Sequence, residues 1–277
     1  MNEKQIAYWN QIAGPKWVAM QAAMESRLAP VNTLLLAHAA PCAGETVLEI
    51  GCGTGTTTAL LAAAVGPTGR VLAVDVSRPM LDAAGIELAA HSNVTLAEAD
   101  AATHVFEPVY DLVVSRFGVM FFEDPIKAFT NIRKALKPGG RLCCTAWAPV
   151  DQNPHWSVTL QVAIAHLGAP KPRKLHAPGP LAFDDAEYVT ALLTEAGFAM
   201  VAVQPIEFHL QGESLDREAD IATKIGPSGA LLDEKAADPA MRAELCAAFA
   251  QALAPITAPG VRLPATLHLI TGHQARH

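Results

Sequence analysis

Val47-Leu-Glu-Ile-Gly-Cys-Gly-Thr-Gly-Thr-Thr-Thr58 is the stretch whose reading decides the fold. An apolar run enters glycines at 51, 53 and 55 and leaves into a Thr- and Ala-rich segment, the pattern of a strand, a tight loop and a helix. A dinucleotide fingerprint counted from Gly51 needs glycine at position 56, where Thr56 stands. A phosphate loop needs a Gly-Lys-Ser/Thr ending, and no lysine lies nearby.

Two carboxylates narrow the ligand. Glu49, two residues before the first glycine, would repel a pyrophosphate but suits a cationic amino group. Asp75 closes the next apolar run, twenty residues after Gly55, where its two oxygens can accept hydrogen bonds from both hydroxyls of a ribose. A ligand with a ribose, a cationic amino-acid tail and no phosphate points to S-adenosylmethionine.

The flanking sequence repeats the same rhythm. Short apolar runs occur at TVLEI (46–50), RVLAVD (70–75), VTLAEAD (94–100), YDLVVS (110–115) and GRLCCTAW (140–147), as expected of parallel strands covered on both faces. Helical segments separate them. Ser77 with Pro79 opens one, and Asp124-Pro125 opens another, whose Ile126, Phe129, Ile132 and Leu136 share a stripe before Lys137-Pro-Gly-Gly140 stops it. This alternation predicts an α/β fold with a doubly wound parallel sheet.

Outside that region the pattern changes. Residues 1–40 read as helical, and 148–183, rich in Pro and His, as loop plus a short helix. Asp184-x-x-Glu187 offers a capping box for a helix reaching Gly197. Strands are expected at 198–210 and 261–270, with a polar helical stretch at 213–226 and a stronger helix from Pro239 to Leu253 between them. No internal repeat is present.

Composition bounds the partners. The 277 residues are 51% hydrophobic and 17% charged, enough for a substantial core, and the formal net charge of −7 disfavours nucleic acid. The basic run Lys171–Lys174 reads as a solvated loop. The polar opening MNEKQIAYWN carries no secretory signal, and the uncharged stretches at 28–44 and 50–69 are broken by Pro, Gly or Thr, so no membrane span is expected. Five scattered cysteines without ligand spacing suggest reduced thiols in a cytoplasmic protein and no metal.

VLEIGCGTG, the strand-end Asp75, Glu98-Ala-Asp100, YDLVVSRFGVMFF and ALKPGGRL together resemble the class I SAM-dependent methyltransferases of the small-molecule type, nearest the ubiquinone and menaquinone group. The resemblance implies a Rossmann-like, mostly parallel seven-stranded sheet with the last strand antiparallel, N-terminal helices and a helical insertion in the C-terminal half. It also implies a single methyltransferase domain over 1–277, made of an N-terminal helical lid (1–43), a SAM-binding core (44–147) and acceptor-side loops, helical insertion and final strands (148–277). Transfer to a small acceptor by in-line displacement follows. The alternatives are a SAM-using enzyme that does not methylate, such as a cyclase, an NAD-type oxidoreductase, or a non-catalytic SAM-binding protein.

On this resemblance Glu49, Gly51, Cys52, Gly53, Thr54 and Gly55 cradle the methionine portion, and Asp75 holds the ribose. Val76, Met80, Asp100 and Ala101 surround the adenine. Ser115 and Arg116 face cofactor and acceptor, with Arg116 also a catalytic candidate, and Trp17 serves as a lid. Acceptor contacts are expected from Phe117, Met120, Phe121 and Phe122 after strand 4, and from Trp147, Asn153 and Trp156 after strand 5. Their apolar, aromatic chemistry favours a hydrophobic or aromatic small molecule. His155, in the polar loop DQNPHW, is the general-base candidate. His38, His91, His104, His268, His273 and His277 read as structural or exposed, while His166, His176 and His209 stay open.

Overall fold

The computed structural model describes residues 2–276, so the expectation for His277 lies outside the described residues. Its N-terminal part is helical: α1 (Glu3–Tyr8), a π-helical turn (Trp9–Ala13), α2 (Gly14–Ala19) and α3 (Gln21–Ala39). The core then alternates β1 (Thr46–Ile50), α4 (Thr56–Val65), β2 (Arg70–Asp75), α5 (Arg78–Glu87), β3 (Val94–Glu98), β4 (Tyr110–Arg116), α6 (Pro125–Ala135) and β5 (Leu136–Trp147). Beyond it come α7 (Pro154–Leu167), α8 (Ala186–Glu195), β6 (Ala199–Gln211), α9 (Leu215–Ala222), α10 (Gly226–Glu234), α11 (Pro239–Leu253) and β7 (Arg262–His273). No helix among the described residues is long and apolar enough to cross a membrane.

The strands form one sheet in the order β3-β2-β1-β4-β5-β7-β6, with β7 antiparallel to both neighbours and the rest parallel. β1 lies between β2 and β4, where the chain reverses its direction across the sheet. That switch opens a crevice at the carboxyl ends of the strands. Pro205 is tolerated inside β6 because this edge strand pairs only with β7.

The helices follow the sequence punctuation with instructive exceptions. Asp124 caps α6 by accepting the Lys127 N–H at 3.0 Å, as its position predicts. At α8 the cap is Asp185, which accepts from the Glu187 and Tyr188 N–H groups, whereas Asp184 pairs with Arg173 at 2.9 Å. The expected helix over 213–226 is two elements: α9 stops at Ala222, and Gly226-Pro227 begins α10 instead of ending α9. Proline is favoured in a first turn, where its missing N–H costs nothing.

On one face of the sheet, α3 lays Met24, Leu28, Val31, Leu35 and Ala39 against β4, β5 and β6. Arg27 lies on the same buried stripe, 7% exposed. Between β6 and β7, the inserted α10 and α11 pack against α7, and α9 packs on α11 and brings Glu218 to that arginine.

Candidate functional site

The crevice is a cleft of about 960 Å³, open solvent at its mouth included. Its floor is the glycine loop. Gly51, at φ +69°, meets Gly118 backbone to backbone: a Cβ on Gly51 would stand 2.8 Å from the Gly118 Cα. The turns after β1 and β4 can therefore touch only if no side chain separates them. Ser115 braces the same junction, its Oγ donating to the Ile50 carbonyl at 2.7 Å and accepting the Gly118 N–H at 3.1 Å.

Asp75 stands at the end of β2 on the cleft wall. One oxygen accepts the Gly53 N–H at 2.9 Å and the other the Ser77 N–H at 2.9 Å. Burial pushes its pKa up, and these backbone donors oppose the shift. Each oxygen retains a second lone-pair direction, so the carboxylate is fixed and still able to accept. Asp100 accepts the Ala102 N–H at 3.0 Å through one oxygen and caps the turn after β3. Its other oxygen has no partner among the described residues. The Thr54 hydroxyl, on a residue 2% exposed, also has none. Buried polar atoms are normally paired, so an orphan on a cleft wall marks where a ligand's polar group belongs.

The roof comes from the N-terminal helices. Trp9, Trp17, Glu25 and Leu28 line the cleft, and Trp9 meets Phe121 edge to face at 5.0 Å. The segment is pinned to the loop after β2: Asn10 Nδ2 donates to the Val76 carbonyl at 2.8 Å, Asn10 Oδ1 accepts the Arg78 N–H, and Ser77 Oγ donates to the Trp9 carbonyl. Gly14 permits this approach, since a Cβ there would lie 2.3 Å from Ser77 Oγ.

Of the sequence-based cofactor candidates, Trp17, Gly51, Cys52, Gly53, Thr54, Asp75, Val76, Met80, Asp100, Ala101 and Arg116 line this cleft. Three do not. Glu49 is 1% exposed and accepts the Thr58 hydroxyl at 2.6 Å, and burial raises its pKa to about 8. Ser115 spends its hydroxyl on the strand junction. Gly55 opens α4 at φ +90°, where a Cβ would strike Leu88 of the neighbouring helical segment. Arg116 reaches the wall with its guanidinium already held in a bidentate pair by Glu25, at 2.8 and 2.7 Å. Glu25 itself carries no motif that would mark it in the sequence.

A second cavity, of about 660 Å³ by the same measure, adjoins the first and shares Trp17, Leu28 and Phe117 with it. Phe117 sits at φ +59°, a left-handed conformation costing an ordinary residue about 1–2 kcal/mol, and stacks on Trp147 at 4.4 Å and 6°. Met120, Trp147, His155 and Trp156 also line this space, whereas Phe121 and Phe122 line the first cleft. Asn153 lines neither; its amide holds the Ala148, Pro149 and Thr266 carbonyls.

His155 occupies the first turn of α7, not a polar loop, and is 2% exposed. Neither ring nitrogen has a hydrogen-bond partner among the described residues. Burial, with the Arg27 charge adding to it, holds its pKa well below the ordinary 6.5. The Pro264 carbonyl acts weakly in the opposite direction. The imidazole is therefore neutral at ordinary pH and reluctant to keep a proton. In the same lining, Arg27 Nε meets Glu218 Oε2 at 2.7 Å, the side chains only 8% and 2% exposed.

The parallel order with one reversed strand and a glycine-loop crevice defines a class I methyltransferase fold. Residues 47–140 match the methyltransferase domain family, so this segment is a methyltransferase domain. Within the chain's relatives, a demethylmenaquinone methyltransferase of Staphylococcus aureus is 38% identical over 102 residues, covering 36% of this chain and 42% of that protein. The chain thus spans less than half the length of the curated relatives it matches. Among solved structures, phosphoethanolamine N-methyltransferase 2 of Haemonchus contortus aligns at TM-score 0.55 and 21% identity, covering 89% of this chain and 52% of that one. YcgJ of Bacillus subtilis aligns at 0.54 and 18% over 89% and 98%, and the [4+2]-cyclase SpnF at 0.56 and 17% over 90% and 81%. At such identities these structures share the fold.

Proposed function

We propose that the whole chain is a SAM-dependent methyltransferase of a small, hydrophobic or aromatic acceptor, with cofactor in the first cleft and acceptor in the second. The observation that carries the proposal is the junction: two cavities meet at Trp17, Leu28 and Phe117. The first sets the strand-end turns, the Asp75 and Asp100 carboxylates and the orphan Thr54 hydroxyl under an aromatic roof; the second joins aromatic walls to one buried ion pair.

When bound, S-adenosylmethionine supplies an electrophilic methyl on a sulfonium. The chain's own residues orient and exclude water. Asp75 would hold ribose hydroxyls, Asp100 through its free oxygen the adenine amino group, and Thr54 a polar end of the methionine portion. Trp17 and Phe117 border both spaces, so their rings would close the junction to water and favour positive charge there by about 0.5–2 kcal/mol. Arg116, neutralised by Glu25, keeps the strand-4 turn in place, a positioning role. Residues 1–43 act as the lid, 44–147 as the cofactor core and 148–277 as the acceptor side.

Calorimetry with S-adenosylhomocysteine and NAD tests the cofactor assignment. We expect micromolar binding of the first and none of the second; a preference for NAD would sink the proposal. Turnover of S-adenosylmethionine to S-adenosylhomocysteine, dependent on an aromatic acceptor, separates methyl transfer from a chemistry that leaves the cofactor intact.

A further inference from the structure

The second cavity contains a cation whose hydrogen bonds are incomplete. Arg27 uses Nε on Glu218 Oε2, and no other hydrogen bond joins its guanidinium to a described residue. Nη1 and Nη2 together carry four N–H donors. The residue is 7% exposed and lines the cavity, with Trp17, Phe117, Trp147, His155 and Trp156 among the other walls. A guanidinium so far from solvent, with most of its donors unused, is costly unless a guest completes it.

We propose that the second cavity selects an electrically neutral acceptor through a carbonyl-type oxygen held by Nη1 and Nη2 of Arg27, with Glu218 setting the charge rule. This rests on the reading of that cavity as the acceptor site. Electrostatics decides between the two oxygen groups that a guanidinium commonly binds. Glu218 already balances the arginine charge, and no second cation lines the cavity among the described residues. A guest carboxylate would therefore add an unbalanced negative charge to a desolvated, aromatic space, which is strongly disfavoured. A ketone, ester or amide oxygen accepts the same N–H groups without adding charge. His155, neutral and unpartnered in the same wall, offers one further hydrogen bond to a neutral polar group beside that carbonyl.

Three probes of one shape test the charge rule: 2-acetylnaphthalene, 2-ethylnaphthalene and 2-naphthoate, titrated by ligand-detected NMR onto protein saturated with S-adenosylhomocysteine. In the wild type the ketone should bind about 10-fold tighter than the ethyl compound, the scale of one hydrogen bond to a charged donor, and the carboxylate weakest. Glu218→Gln keeps an oxygen for Arg27 Nε but removes the counter-charge, so the carboxylate should become the tightest of the three. The double variant Arg27→Met with Glu218→Met should bind ketone and ethyl compound equally. Replacing both partners of a buried pair by apolar side chains is commonly neutral or stabilising, so this variant stays folded. A wild type preferring naphthoate overturns the proposal, as does a ketone preference that survives the double variant or a Glu218→Gln protein without the switch. Failure of all three probes to bind overturns it too. Loss of S-adenosylhomocysteine binding in the wild type strikes the cofactor assignment instead, so the two failures are read separately.

Discussion

The two cavities are built on opposite plans. Every polar atom proposed to meet cofactor in the first cleft lies within a few residues of a strand end: Thr54 after β1, Asp75 at the end of β2, Asp100 after β3. Backbone geometry places such residues together as soon as the parallel sheet forms. The second cavity collects its walls from distant elements: Trp17 from α2, Arg27 from α3, Trp147 from β5, His155 and Trp156 from α7, Glu218 from α9. The polar floor of the first kind of site persists wherever the sheet persists. The second can be rebuilt by changing the helices around it while the sheet stays the same.

If that contrast is right, damage to the glycine loop should be the most severe and the most confined. Gly53→Val places a β-branched side chain at φ +57°, against Met80 Cε, which already lies 3.0 Å from an added Cβ. We expect no measurable S-adenosylhomocysteine binding to folded variant, with aromatic probes still entering the second cavity; undiminished cofactor affinity would remove the glycine loop from the site. Asp75→Ala should weaken S-adenosylhomocysteine by roughly 30- to 1000-fold, about 2–4 kcal/mol, because the proposed ribose contacts and the Gly53 and Ser77 anchors are lost together. Asp82→Ala, which breaks only an exposed pair with Arg78, is the control and should bind normally.

Proton linkage sharpens the comparison further. Glu49 is raised to about 8 from the ordinary 4.5, so its contribution to stability is complete below 4.5 and lost as pH rises through about 8. Glu49→Gln should therefore gain about 1–3 kcal/mol over wild type near pH 9 in urea unfolding, and little near pH 5. An unchanged difference across that range would mean Glu49 is ionised in the folded protein. The smallest expected effect is on the other side of the junction. Removing His155 as His155→Phe should leave S-adenosylhomocysteine affinity within about 2-fold, because the residue lines only the second cavity. Wild-type stability should also fall as pH drops below about 6.5, where the unfolded chain takes up a proton the buried imidazole refuses, and the variant should lack that loss. A wild type insensitive to pH there would contradict the neutral, buried imidazole.

Legibility followed the same division. The spacing from Gly51 to Asp75 and the strand-end Asp100 carried the cleft because their meaning is local to a βα unit. Strand-end position alone points Ser115 toward a cofactor, but its hydroxyl, at a crossing of two turns, finds the Ile50 carbonyl closer at hand. His155 looked like a loop residue because Asn153-Pro154 resembles a turn, and the same Pro154 in fact starts α7. Arg27 gave no signal at all: its significance depends on Glu218, 191 residues away, and on an inserted helix whose partner face no periodicity reveals. The count of seven strands and the reversal of the last came from the family resemblance and not from any local pattern.

The pinning of the N-terminal helices onto the loop after β2 has a practical consequence. Asn2, Gln5 and Trp9 belong to the cleft lining, and Asn10 holds both Val76 and Arg78, so residues 2–13 are as much a part of the first cleft as β2 is. Trimming them, or fusing an affinity tag that tugs on α1, would be recorded at the bench as a cofactor defect in a protein with an intact sheet. Handles for purification or immobilisation therefore belong at the other end of the chain, where β7 is locked between β5 and β6 and a tether pulls on the most firmly paired strand.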